Sequence, residues 1–286
     1  MDLDLFRRLE RRYLFTGDLV LRTAMHLGGG DATLGSTDSP VVRRPDGQPF
    51  IPGSSIKGAF RSTVEKLAAT LGLPHMDRDA LDLTSDWVKA FNRSRRGEGP
   101  DGEPVGDPWS EEQTVAQVAA EWPPTAHLFG TQYTASKLSF SDAYLRDEAE
   151  SIVQRRDGVA IDRDSERAMD RLKYDYEVVP PTVRFSFELL LENPGPVDLG
   201  LTCLGLSELR SGYFTLGGKR SSGLGRCLLE SPQAYALDLT DREARRRAER
   251  LARYLRGRTP EQKFDVIPDV DRFLDDGIAA LLKEVA

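Results

Sequence analysis

Apolar residues recur along the chain with two different periods, and the switches between them outline the elements. Residues 13–27 read as a strand, with Leu14, Leu19, Leu21, Met25 and Leu27 at its apolar positions. Gly28-Gly29-Gly30 stops it. Residues 31–52 are rich in Gly, Ser, Asp and Pro and read as a loop, with Val41 and Val42 as a short strand inside it. The period then becomes helical. Ile56, Phe60, Val64, Leu67 and Leu71 share one stripe, Ser54 or Ser55 is the expected N-cap, and Gly72 with Pro74 closes the helix. Such a stripe is core packing.

Periodicity fades over residues 72–124. Two short helical patterns flank a polar, Gly- and Pro-rich stretch that starts at Asn92, which predicts an insertion with a mobile tip. Core-like sequence resumes at His127-Leu128-Phe129-Gly130 and continues as a strand over 137–145. Residues 155–181 are charged and sparsely apolar, so they predict a projecting element. Val183, Phe185, Phe187, Leu189 and Leu191 alternate as a strand. A helix follows over 199–213, then a glycine-rich turn over 217–225 and a closing strand over 226–230. The tail from 240 to 286 is largely helical, with Arg245-Arg246-Arg247 exposed and a face of Ile278, Leu281 and Leu282. This order of elements predicts an α+β fold, a sheet with helices on one face.

Bulk properties narrow the class. With 286 residues, 39% hydrophobic and 30% charged, the chain suits one large domain with insertions or two small ones. No apolar run approaches the roughly 18 residues of a membrane span, and the first residues lack an apolar signal core, so a cytoplasmic location is expected. Cys203 and Cys227 form neither a disulfide framework nor a zinc pattern and read as reduced core residues. A net charge of −7 counts against a protein covered in phosphate contacts. The footprint of a polyanion is local, however, and cations stand beside glycines at Lys57, Arg61, Lys219, Arg220 and Arg226.

Two segments carry that chemistry. In Pro52-Gly53-Ser54-Ser55-Ile56-Lys57-Gly58-Ala59-Phe60-Arg61, a helix N-terminus brings free N–H groups, two hydroxyls and two cations four residues apart. That assembly suits a phosphate, and an ordinary capped helix with solvated cations accounts for it equally well. The second segment, Gly217-Gly218-Lys219-Arg220-Ser221-Ser222-Gly223-Leu224-Gly225-Arg226, again joins bare backbone to cations. It is neither a Walker loop nor a dinucleotide fingerprint, because it leads into a strand. Two such loops favour an extended polyanion over a single nucleotide, with plain turns as the competing reading.

Together these segments resemble the RAMP superfamily. The resemblance rests on Met25-His26-Leu27-Gly28-Gly29-Gly30, Thr37-Asp38-Ser39-Pro40-Val41-Val42 and Pro49-Phe50-Ile51-Pro52-Gly53-Ser54-Ser55-Ile56-Lys57-Gly58-Ala59-Phe60-Arg61. His127-Leu128-Phe129-Gly130, Phe140-Ser141-Asp142-Ala143 and the turn at 217–225 follow in the same order, so the likeness spans roughly 13–230. It implies a modified RNA-recognition-motif (ferredoxin-like) palm over residues 1–236, with an inserted thumb at 150–182, the insertion at 72–124 and a helical C-terminal extension over 237–286.

The likeness is greatest to backbone subunits of type III CRISPR effector complexes. It implies a subunit that binds guide RNA beside other RAMP-type subunits and further copies of itself, and that cleaves complementary target RNA with a divalent metal, Mg2+ being the expected ion. Asp38 stands at the position of the catalytic, metal-holding carboxylate, with Asp31 as a weaker candidate. Ser54, Ser55, Lys57, Arg61, Gly217, Gly218, Lys219, Arg220, Ser221, Gly223 and Arg226 are the expected RNA contacts. A hard cation prefers oxygen ligands, and a carboxylate can orient or deprotonate a ribose 2′-hydroxyl for attack on the neighbouring phosphate. The alternatives are a guide-binding subunit that does not cut, and a metal-independent processing nuclease that depends on His26. His26 has no His or Lys partner in its local sequence and reads as structural.

Overall fold

The computed structural model describes residues 8–29, 37–73, 86–131, 133–146, 152–161 and 168–285. Its centre is β1 (Arg11–Leu21), which pairs antiparallel with β5 (Arg184–Glu192) on one side and β6 (Cys227–Asp238) on the other. The short strands β2 (Leu138–Phe140) and β7 (Asp265–Ile267) extend the sheet beyond β5 and β6, giving the order β2-β5-β1-β6-β7. β6 carries one extra residue opposite Thr16 and Asp18. Pro232, which has no N–H to give a ladder, sits in that bulge beside Ser231 at φ 47°.

Strand alternation decides which face is buried. Phe185, Phe187, Leu189 and Leu191 are buried together with Phe15, Leu19 and Leu21, as the sequence pattern predicts. Over them lie α1 (Gly53–Thr70), α5 (Pro196–Ser211) and α8 (Val270–Val285), supplying Ile56, Phe60, Val64, Leu201, Leu206, Leu209, Leu274 and Leu281. Each fully buried side chain of this size contributes about 2 kcal/mol. Residues past 236 are therefore built into the sheet and the main core, through β7 and α8. On α8 the apolar face turns differently from the sequence reading: Leu274 and Leu281 are buried, and Leu282 is exposed.

The other face of the sheet is not bare. Leu14, Tyr235, Leu237, Leu239 and Phe264 form a second cluster there, joined by Tyr254 of α6 (Ala244–Arg256), and the short α7 (Pro260–Lys263) leads into Phe264. Helices therefore cover both faces, where the element order predicts one. The reason lies in β6: Tyr235 and Leu237 alternate with Ala234, so both faces of its second half are apolar and both need cover.

The insertion builds α2 (Asp86–Arg95) and α3 (Glu111–Glu121), and its Phe91, Trp109 and Trp122 form an aromatic cluster with Tyr133, which lies just past α4 (Pro124–Phe129). Its polar tip is a hydrogen-bonded turn: Gly99 N–H donates to Glu103 O at 2.8 Å and Val105 N–H to Gly97 O at 2.8 Å. The projecting element is a separate two-stranded hairpin, β3 (Gln154–Ile161) with β4 (Ala168–Val178). Among the described residues, no helix is long and apolar enough to cross a membrane. Cys203 and Cys227 are buried free thiols, and burial pushes each up to about 12.

Candidate nucleic-acid interface

Asp38 is exposed, yet it is fixed in place. After β1 the chain returns past itself: Val42 N–H donates to Leu27 O at 2.9 Å and Gly29 N–H to Pro40 O at 3.1 Å. The opposite edge of this returning segment lies along β4. Glu177 N–H donates to Ser39 O at 3.0 Å, with Ser39 and Tyr176 as parallel partners. Asp38 N–H donates to Asp175 Oδ1 at 2.7 Å, and Asp175 N–H donates to Asp38 Oδ2 at 3.0 Å. Asp175 is only 8% exposed and pairs through its other oxygen with Arg155 on β3. Two residues further on, the Glu177 carboxylate accepts from Val41 N–H and from the Arg43 guanidinium, each at 3.0 Å. The loop that carries Asp38 is thus a third strand-like layer on the hairpin.

His26 belongs to the same frame. Its Nδ1 lies 2.8 Å from Glu177 O, where it acts as donor, and its ring meets Tyr176 edge-on at 5.8 Å. These contacts fit the structural reading of His26.

The glycine-rich turn packs against residues 24–26. Gly218 N–H donates to His26 O and Gly225 N–H to Ala24 O, both at 2.8 Å. At Gly217, φ is +80° and an added Cβ would lie 2.2 Å from His26 O, so only glycine fits. This glycine serves close packing of chain on chain; the exposed Gly223 has open space where a Cβ would be. Lys219 is set over two rings of β4, its Nζ 4.4 Å from the Tyr176 centroid, 4.6 Å from that of Tyr174 and 3.3 Å from Tyr174 Oη. Arg220 donates to Gly217 O at 2.9 Å, Ser221 is exposed, and Arg226 lies 5.1 Å from the Tyr213 ring centroid. β4 therefore gathers Asp38, His26 and Lys219, which are far apart in sequence.

The second predicted segment has a different character. Neither Ser54 nor Ser55 caps α1; Pro52 occupies the N-cap, and the first N–H, that of Gly53, donates to Asp142 Oδ1 at 2.7 Å. A carboxylate from the end of β2 thus fills part of the helix terminus that the sequence offers to a phosphate. Arg61 is committed as well, to Glu65 at 2.7 Å and over the Phe129 ring at 5.7 Å. Lys57 is half-buried without an ion-pair partner among the described residues, and burial followed by the nearby Arg61 charge lowers its pKa. Residues 41–52 run from the first group to this one, through an Arg43–Pro49 bridge and the pairing of Ile51 with Ala143. Asp31 lies outside the described residues.

Arg155, Asp175, Glu177, Tyr174 and Tyr176 are absent from the sequence-derived site. Their signal is the run Tyr174-Asp175-Tyr176-Glu177, in which acids alternate with aromatics inside a strand, where Asp and Glu are disfavoured. Among the described residues, no group of three or more His, Cys, Asp or Glu forms a ready metal cage. Asp38 offers one exposed carboxylate, and Asp175 is already engaged by Arg155.

The sequence pattern of the RAMP superfamily matches residues 18–228. The CRISPR system Cms endoribonuclease Csm3 of Enterococcus italicus is 26% identical over 220 residues, covering 75% of this chain and 89% of that protein. The protein of the same name from Streptococcus thermophilus is 26% identical over 244 residues, covering 77% and 88%. A shorter match, 41% over 61 residues, links 20% of the chain to 25% of the Methanothermobacter thermautotrophicus protein of that name.

Proposed function

The chain belongs to the RAMP superfamily, and from that premise we propose that it is a backbone subunit of a cytoplasmic type III CRISPR interference complex. It binds guide RNA beside other RAMP-type subunits and further copies of itself, and it cleaves complementary target RNA. The β1–β5–β6 sheet is the palm, and the β3–β4 hairpin is the thumb.

One observation supports cleavage above the others: an exposed carboxylate, Asp38, is locked by paired hydrogen bonds to a strand whose next residues carry two tyrosines under a lysine. Lys219 brings positive charge for phosphate, and the tyrosine faces suit bases or sugars. Asp38 takes or orients the proton of a ribose 2′-hydroxyl. The oxygen then attacks the adjacent phosphorus as the bond to the 5′-oxygen breaks, and the departing 5′-oxygen takes up a proton from Asp38 or from solvent, leaving a 2′,3′-cyclic phosphate and a 5′-hydroxyl. RNA supplies the nucleophile, so the chain needs no Ser, Cys or His for that role.

The residues suit a divalent ion that keeps most of its waters: Asp38 would give one oxygen ligand, and the RNA phosphates would give others. Such an ion, when bound, supplies charge stabilisation at the phosphate. The exposed Ser54 and Gly58 and the half-buried Lys57 form a second contact on α1.

The test is single-turnover cleavage of a complementary RNA by reconstituted complex bearing Asp38→Ala. Loss of cut product with guide RNA still bound supports the proposal. Cleavage at the normal rate would leave a guide-binding subunit that does not use Asp38.

A further inference from the structure

We propose that Asp175, neutralised by Arg155, is the positioning residue for Asp38, so that the hairpin sets the place of the carboxylate. This rests on the reading of Asp38 as the cleaving group.

Asp175 is difficult to explain as a residue chosen for stability. Aspartate is disfavoured in strands. This one is 8% exposed, and burying a carboxylate costs free energy unless it is compensated. The compensation is present: Arg155 from the paired strand reaches Oδ2, while Oδ1 accepts the N–H of Asp38. The return bond, from Asp175 N–H to Asp38 Oδ2 at 3.0 Å, fixes one oxygen of Asp38 and thereby the plane of its carboxylate.

The two bonds form a closed pair between segments 137 residues apart. Removing the Asp175 side chain takes away the acceptor of the Asp38 N–H and leaves only the bond from Asp175 N–H to Asp38 Oδ2, so the backbone that carries the carboxylate is free to shift. It also leaves Arg155 without its acid. Glu177 holds the same loop two residues on, through Val41 N–H and Arg43, so the loop stays docked when Asp175 is changed. The predicted defect is therefore a local displacement of Asp38, and with it of its carboxylate, and not detachment of the whole loop.

The experiment uses guide-loaded complex and measures both target affinity and the single-turnover cleavage rate at saturating target. Misplacing a reacting group by about 1 Å can cost on the order of 100-fold in rate. Asp175→Ala is expected to slow cleavage by about 10- to 100-fold with target affinity unchanged. Asp175→Asn keeps an oxygen that accepts the Asp38 N–H and is expected to recover part of that loss. Added to Asp38→Ala, Asp175→Ala is expected to cost nothing further, because the two act through one group.

A normal rate for Asp175→Ala would overturn the proposal while Asp38→Ala remains inactive. So would a loss confined to target affinity, which is what a purely structural role in the hairpin gives. Full activity of Asp38→Ala would instead remove the reading beneath it, and the two failures are thereby told apart. Should Asp175→Ala fail to assemble, Asp175→Asn and Arg155→Gln carry the same measurement.

Discussion

The turn at 217–225 and the start of α1 look alike in sequence: each sets two cations among glycines and serines. In the folded chain they differ. The turn is locked against His26 by backbone bonds, and it holds Lys219 over Tyr174 and Tyr176, next to the Asp38–Asp175 pair. At α1 the helix terminus already receives Asp142, and Arg61 already has Glu65. Charge content does not make a binding surface by itself. What counts is whether a cation's partners are neutral rings, which leave its charge available, or carboxylates, which cancel it.

The largest expected contrast is between two glycines. Gly217→Ala places a Cβ against His26 O at φ +80° and should cost on the order of 3 kcal/mol. Gly58→Ala, on the exposed side of α1 with open space around it, should instead stabilise by about 0.5–1 kcal/mol. Denaturant melts of the two variants read opposite signs; a mild effect at Gly217 would break the claim that the turn is locked.

A smaller effect separates the cations. Lys219→Ala should weaken RNA binding about tenfold and reduce the salt slope by about one. Arg61→Ala should do less, since Glu65 already neutralises that charge. Equal losses in filter-binding titrations at several salt concentrations would erase the distinction.

Asp142→Ala removes the carboxylate from the α1 terminus. It should cost about 1 kcal/mol in stability while modestly favouring RNA at Lys57, because an anion leaves that end. Thermal melts paired with RNA titration check both signs.

The smallest effect lies outside both regions. Burial raises Cys203 and Cys227 from 9.0 to about 12, so their unfolded thiols ionise first as pH rises. The unfolded state then binds fewer protons, and the stability these thiols contribute is present below 9 and lost as pH rises towards 12. Comparing alkaline melts of Cys203→Ala with those of the parent chain isolates that contribution.

Much of this was legible in the sequence because it depends on periodicity. The alternation of Phe185, Phe187, Leu189 and Leu191 gives β5 and its buried face, and the Ile56–Phe60–Val64 stripe gives α1. Asp38 and the 217–225 turn stand out through resemblance and glycine chemistry, and the fold brings both onto β4. The site was not legible at Asp142, 89 residues from the N–H it caps, nor at Asp175, 137 residues from Asp38, because no local pattern encodes a long-range hydrogen bond. The cover over the second face escaped for a similar reason. Leu14, Tyr235 and Phe264 form one cluster only after the strands have paired.

The central claim is that the β4 face carrying Tyr174, beneath Lys219 and beside Asp38, meets RNA at the point of cleavage. Replacing Tyr174 with a photocrosslinking phenylalanine analogue in the assembled complex, using target RNA that resists cleavage, tests it directly. The account predicts crosslinks to the target nucleotides immediately beside the phosphodiester that is normally cut. Crosslinks confined to protein, or to RNA remote from that bond, would contradict it.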